Sequence, residues 1–185
     1  MRAKALVLRE VEGVETPDLR WLLVGLTHRL GETTLELADR CAVPRHRLEK
    51  AVRYVVAGGR AMEARDVLEV ADSYEHDCCD ILDPLVCALA VAVDTAERDV
   101  TRRDVAEVVN GTLECLDRAR LPEYRDEDVG FRFPGEQVCL DWVEEEARRL
   151  VAYVDGVLDG RWRGGDPIDP DVAFARWVPK VVRRA

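Results

Sequence analysis

The densest group of chemically capable side chains lies between Pro44 and Ala57. Arg45, His46, Arg47, Lys50 and Arg53 stand there against a single acid, Glu49. Arginine can grip a guanine edge or a phosphate with two parallel hydrogen bonds, and lysine neutralises phosphate as a point charge. Arg45, His46, Arg47 and Lys50 crowd the N-terminal half of the segment, the part of a reading helix that enters a DNA major groove. Other chemistries are poorly supplied. Ser73 is the only serine and falls inside a helical pattern, so a serine nucleophile on a sharp elbow is not expected. His28, His46 and His76 are scattered, and no cysteine joins one in a local motif. Neither a glycine-rich phosphate loop nor an HExxH pair occurs. The run Glu75-His76-Asp77-Cys78-Cys79-Asp80 puts His76 and Cys79 on one helical face, but two ligands do not complete a site. No catalytic residue, metal or cofactor is assigned, and an enzyme ranks behind a binding protein.

The elements that must position these residues read as helices almost throughout. Thr16-Pro17 resembles an N-cap followed by a first-turn proline, and Leu19, Leu22, Leu23, Leu26 and Leu30 follow helical spacing. Gly31 is a stop signal, and Thr33 with Glu36 forms a capping box for a short helix over 34–41. Pro44 opens the basic helix, with Leu48, Ala51, Val52 and Val55 as its apolar stripe. Gly58-Gly59 ends it. A longer helix is expected over 61–82. Asp83-Pro84 caps the next, whose run Leu85 to Val93 is apolar on every side, as in the central helix of a bundle. Thr101 with Asp104 caps a short helix, Asn110-Gly111 signals a turn, and Thr112 caps a further helix. A charged loop over 122–135, with a short extended piece near 129–133, leads to a last long helix over 137–158. Glu144, Glu145 and Glu146 read as its solvated face. Ala3 to Leu8 is a strand or a frayed start.

Residues 35–55, LELADRCAVPRHRLEKAVRYV, have the spacing of a helix-turn-helix motif. Two helices crossing steeply over a short turn need a small residue at the contact and an apolar plug beneath it. Ala38 fills the first role and Val43 the second, with Leu37, Cys41, Leu48 and Ala51 as core. Ala42 stands where the turn usually has glycine, and a left-handed residue there costs about 1 kcal/mol or more. A shift of 68 residues aligns Thr33 with Thr101, Leu37 with Val105, Ala38 with Ala106, Leu48 with Leu116 and Ala51 with Ala119. The matching second helix, Leu113 to Arg120, has no net charge and reads as structural.

The paired arrangement resembles the cyclin-type repeats of archaeal transcription initiation factor B. The echoes are Thr33-Thr34-Leu35-Glu36-Leu37-Ala38 with Arg53-Tyr54, and Thr101-Arg102-Arg103-Asp104-Val105-Ala106. The resemblance implies a transcription-type helical domain.

Composition sets the limits. The chain has 185 residues, 48% hydrophobic, with 27 basic and 37 acidic side chains and a net charge of −10. It can enclose a core and is too apolar for a disordered chain. No apolar run is long enough to span a bilayer, so a soluble, cytoplasmic protein without membrane contact is expected. Arginine outnumbers lysine 24 to 3, and there is one Asn and one Gln, a thermophile-like balance. The six cysteines are expected reduced and buried. Charge is uneven: +3 over 1–61, −16 over 62–159, +3 over 160–185. That excludes a uniformly basic coat on nucleic acid and leaves room for one basic helix on an acidic body.

The expected architecture is therefore all-α. One compact multi-helix domain covers 1–160, with helix-turn-helix-like units about 17–58 and 84–121 around a central apolar helix. A basic, aromatic tail covers 161–185. The expected function is a helix-turn-helix DNA-binding protein of transcriptional or chromosomal type, its 44–57 helix meeting double-stranded DNA. The acidic middle would face a protein partner or a second copy. The alternative is a helical interaction or scaffold protein without nucleic-acid binding.

Overall fold

The computed structural model describes residues 2–40, 43–58, 62–70, 82–119, 131–132, 136–158 and 182–183. Seven helices occur among them: α1 (Arg2–Glu12), α2 (Thr16–Arg40), α3 (Arg45–Ala57), α4 (Ala64–Leu68), α5 (Asp83–Thr95), α6 (Arg102–Ala119) and α7 (Glu136–Leu158). One antiparallel pairing, Phe131 with Arg183 and Arg132 with Val182, joins the two-residue strands β1 (Phe131–Arg132) and β2 (Val182–Arg183). The architecture is all-α, as the periodicity predicts.

α5 is the hub. Its apolar run buries Leu85, Val86, Ala88, Leu89, Ala90, Ala92 and Val93, and α2, α3, α4 and α6 all pack on it. Cys87 breaks the expectation of an all-round buried helix, because it is exposed. α7 packs across α1 and α6, contributing Ala147, Leu150 and Val154 to the core. No helix among the described residues is long and apolar enough to cross a membrane.

Three local expectations are overturned. The first segment is neither strand nor frayed: α1 buries Val7 and Val11. Gly31 and Thr33 do not break α2, which runs on to Arg40. A Cβ at Gly31 would lie 2.8 Å from both Val52 methyl carbons, so the glycine marks where α3 presses on α2. Asn110-Gly111 is no turn either. Gly111 lies inside α6, and a Cβ there would come within 2.4 Å of the Pro84 carbonyl oxygen and 2.6 Å of the Ala88 Cβ. Thr112 is accordingly not a cap; its hydroxyl donates to the Val108 carbonyl one turn back, at 3.1 Å. At both positions glycine lets a neighbouring helix press close, against a side chain at Gly31 and against backbone at Gly111, a use that is locally indistinguishable from a stop. The 68-residue echo therefore breaks at different places, after Arg40 in the first copy and between α5 and α6 in the second.

Other signals hold. Thr101 and Asp104 form their reciprocal cap: the Thr101 N–H donates to Asp104 Oδ2 at 2.8 Å, and the Asp104 N–H to Thr101 Oγ1 at 3.3 Å. Pro84 sits in the first turn of α5. Most of the helix expected over 61–82, the His76–Cys79 run, Cys41 and Ala42, and most of the 122–135 loop and the tail lie outside the described residues.

Candidate nucleic-acid interface

α3 is amphipathic. Leu48, Ala51, Tyr54 and Val55 are buried. Arg45, His46, Arg47, Lys50 and Arg53 are all exposed, Arg53 at 75% of its side-chain area. Arg45, His46, Lys50 and Arg53 share the side of α3 away from the core, whereas Arg47, though exposed, projects beside the buried stripe, between Tyr54 and Ala51 around the helix.

The inward face explains why α3 stays there. Val43, Leu37, Ala38, Leu48 and Ala51 are buried as the motif spacing requires, and the Val43 N–H donates to the Ala38 carbonyl at 3.0 Å to close the turn. At the far end, Tyr54 Oη donates to Glu97 Oε1 at 2.6 Å, tying α3 to the turn after α5. That hydrogen bond, with burial, pushes the Tyr54 pKa up.

The crossing of α2 and α3 differs from the motif. Along the helices, Gly31 and Val52 lie about 13 Å and about 10 Å from the connecting turn. Axes diverging at a right angle would separate them by about 17 Å. They are in contact instead. The two helices run alongside one another as an antiparallel hairpin, so the steep crossing expected of the motif is corrected.

The charges on the face are not isolated. Arg53 pairs with Glu49 at 2.6 Å, Arg47 with Glu69 at 3.6 Å, and Arg45 with Asp39. Asp39 comes from the last turn of α2 and Glu69 from the end of α4, so carboxylates from three elements converge on it. Among the described residues, His46 and Lys50 make no ion pair. The first turn of α3 carries no acid and its N-cap, Pro44, has no side-chain cap. Basic groups there oppose the helix dipole, an arrangement that favours an approaching anion. The nearby C-terminal end of α2 offsets part of that field.

Two further sites were not foreseen. Glu146, expected on a solvated face, is fully buried and takes two hydrogen bonds from Arg29, one of them from Nε at 2.9 Å. Burial pushes the Glu146 carboxyl up, against the pull of Arg29. The signal was present, since Glu146 shares the helical stripe of Leu150 and Val154. The second is a groove of about 240 Å³ between α5 and α6, lined by Asp83, Cys87, Asn110 and Glu114 among others. Burial and Asp83 hold the Cys87 thiol protonated, and burial does the same more strongly for Cys115. Neither suits nucleophilic chemistry. Among the described residues no group of three or more His, Cys, Asp or Glu side chains is placed to hold a metal ion.

Compared with protein-family models, with curated proteins and with solved structures, the chain matches none of them.

Proposed function

We propose that the protein binds duplex nucleic acid through the solvent face of α3, in the transcriptional or chromosomal setting that the sequence resemblance implies. The observation that supports this most is that Arg45, His46, Arg47, Lys50 and Arg53 are all exposed, four of them on the side of α3 away from the core stripe and Arg47 beside it. The contact is with phosphates first. Exposed ion pairs contribute little, about 0–1 kcal/mol each, so the arginines can exchange their carboxylates for phosphate oxygens. Phosphate contacts fix orientation without reading sequence. Because α2 and α3 lie side by side, α3 is offered along its flank rather than as a steeply projecting reading helix. The net charge of −10 argues against contact over the whole surface.

A second reading has the same hairpin behind it. Arginines alternating with carboxylates also suit a protein partner carrying both signs of charge. Anisotropy of a labelled duplex, titrated from low to moderate salt, separates the two. Binding that weakens with salt and is abolished by Arg45→Glu/Arg47→Glu/Lys50→Glu supports the nucleic-acid reading. No binding at low salt, or binding untouched by the reversal, overturns it in favour of the protein partner.

A further inference from the structure

Asp39, Glu49 and Glu69 belong to separate elements, yet each places its carboxylate on a basic group of α3. Asp39 does so from the C-terminal turn of α2, where a negative charge opposes the helix dipole. Glu49 stands four residues before Arg53, the favourable order for a helical pair. Glu69 is shared, lying 3.6 Å from Arg47 and 3.3 Å from Arg65. One pairing crosses the α2–α3 turn, one lies within α3 and one reaches across from α4, and together they cover three of the four Arg and Lys side chains of α3.

Resting on the reading above, we infer that Asp39, Glu49 and Glu69 form a carboxylate collar that sets the selectivity of the α3 face. The collar acts as a built-in competitor. Any anion that binds must displace three carboxylates already in place. An isolated carboxylate or a sparsely charged protein segment exchanges like for like and gains nothing. A duplex carries one negative charge per about 1.7 Å of axis and offers several phosphates at once, each able to accept two hydrogen bonds from a guanidinium. The collar therefore lowers affinity for every anion but penalises weak ones most. Lys50, outside the collar, makes the first contact, and the arginines follow as their carboxylates are released.

The test uses the full chain and two charge-matched triple variants. Asp39→Asn/Glu49→Gln/Glu69→Gln removes the collar. Glu10→Gln/Glu107→Gln/Glu114→Gln removes three carboxylates that pair with arginines elsewhere. Anisotropy of a labelled duplex at low salt is read alone and with polyglutamate as competitor. The collar variant is expected to bind the duplex about tenfold more tightly. Polyglutamate should compete against it far better than against the wild type, and the control variant should change by less than about twofold. Equal tightening in both variants assigns the effect to net charge and overturns the collar, as does an unchanged collar variant. If wild type and collar variant both fail to bind, the nucleic-acid reading itself falls. If wild type binds and the collar variant does not differ, only the collar falls.

Discussion

Glu146 is wholly buried on α7 and is gripped by Arg29 of α2 through two hydrogen bonds, across 117 residues of chain. Among the described residues, Arg29 Nη1 and the neighbouring Thr33 Oγ1 are buried without a partner, so the pair sits in a polar pocket that is incompletely satisfied. Removing one partner strands a buried charge. Arg29→Met or Glu146→Leu alone should each lower unfolding stability by about 3–5 kcal/mol, whereas the double substitution should be near neutral. Urea denaturation of the three variants measures this. A double variant as unstable as the singles would show that the pair contributes more than its own rescue.

The two helix-crossing glycines should differ in a predictable way. A methyl at Gly111 would meet the Pro84 backbone oxygen, which cannot move aside without shifting α5. Gly111→Ala should therefore destabilise by about 2–3 kcal/mol despite the better helix propensity of alanine. At Gly31 the obstacle is the Val52 side chain. Gly31→Ala should cost less, about 1 kcal/mol, and Val52→Ala should recover most of that loss. A double-mutant cycle on thermal or urea midpoints reads the coupling.

Asp104 carries a pH signature. Burial works against its carboxylate, but hydrogen bonds from Arg98 and Thr101 outweigh that and hold its pKa below the usual carboxylate value. A depressed folded pKa means stability that is fully present above the unfolded value, about 3.9, and lost as pH falls through the folded one. Asp104→Asn should cost about 1 kcal/mol at neutral pH. The gap between wild type and variant should stay constant above about pH 5 and shrink below about pH 4. Urea midpoints across that range test it, and a gap that widens in acid would contradict the assignment.

If Arg45, Arg47, Lys50 and Arg53 each meet one phosphate, the logarithm of duplex affinity should fall with the logarithm of salt with a slope of about −3 to −4. Lys50→Ala should reduce that slope by about one without changing sequence preference. A steeper slope would point to basic groups beyond α3.

Thiol accessibility separates two cysteines. In the folded protein, maleimide followed by peptide mapping should label Cys87, which is exposed, and spare Cys115, which is buried. Labelling of Cys87 should be slow at neutral pH, because its thiol is held protonated, and should speed up in alkali. Cys115 should react only once the chain unfolds.

Much of this fold was legible in the amino-acid sequence. Apolar spacing located the bodies of α2, α3, α5 and α7, the Leu85–Val93 run identified the hub, and Thr101 with Asp104 marked a cap that the structure contains. These features depend on contacts within a turn or two of helix, which the local sequence carries. The basic face of α3 was legible for the same reason, since its exposed and buried residues alternate at helical period.

The rest depended on residues far apart in the chain. Whether Gly31 and Gly111 stop a helix or let another one in is decided by Val52 and Pro84, not by their neighbours in sequence. Glu146 shares a helical stripe with Leu150 and Val154, but the partner that its buried carboxylate needs, Arg29, is supplied only by the packing of α2. Glu69 joined the α3 face only through packing of α4 beside it, and Asp39 only because the chain reverses between α2 and α3. Periodicity reports which way a side chain points relative to its own helix, but the partner it meets is set by how the helices cross. In this protein the sequence alone determined the helices and the basic stripe, whereas tertiary packing decided which glycines are contacts, which glutamate is core, and which carboxylates temper the arginines.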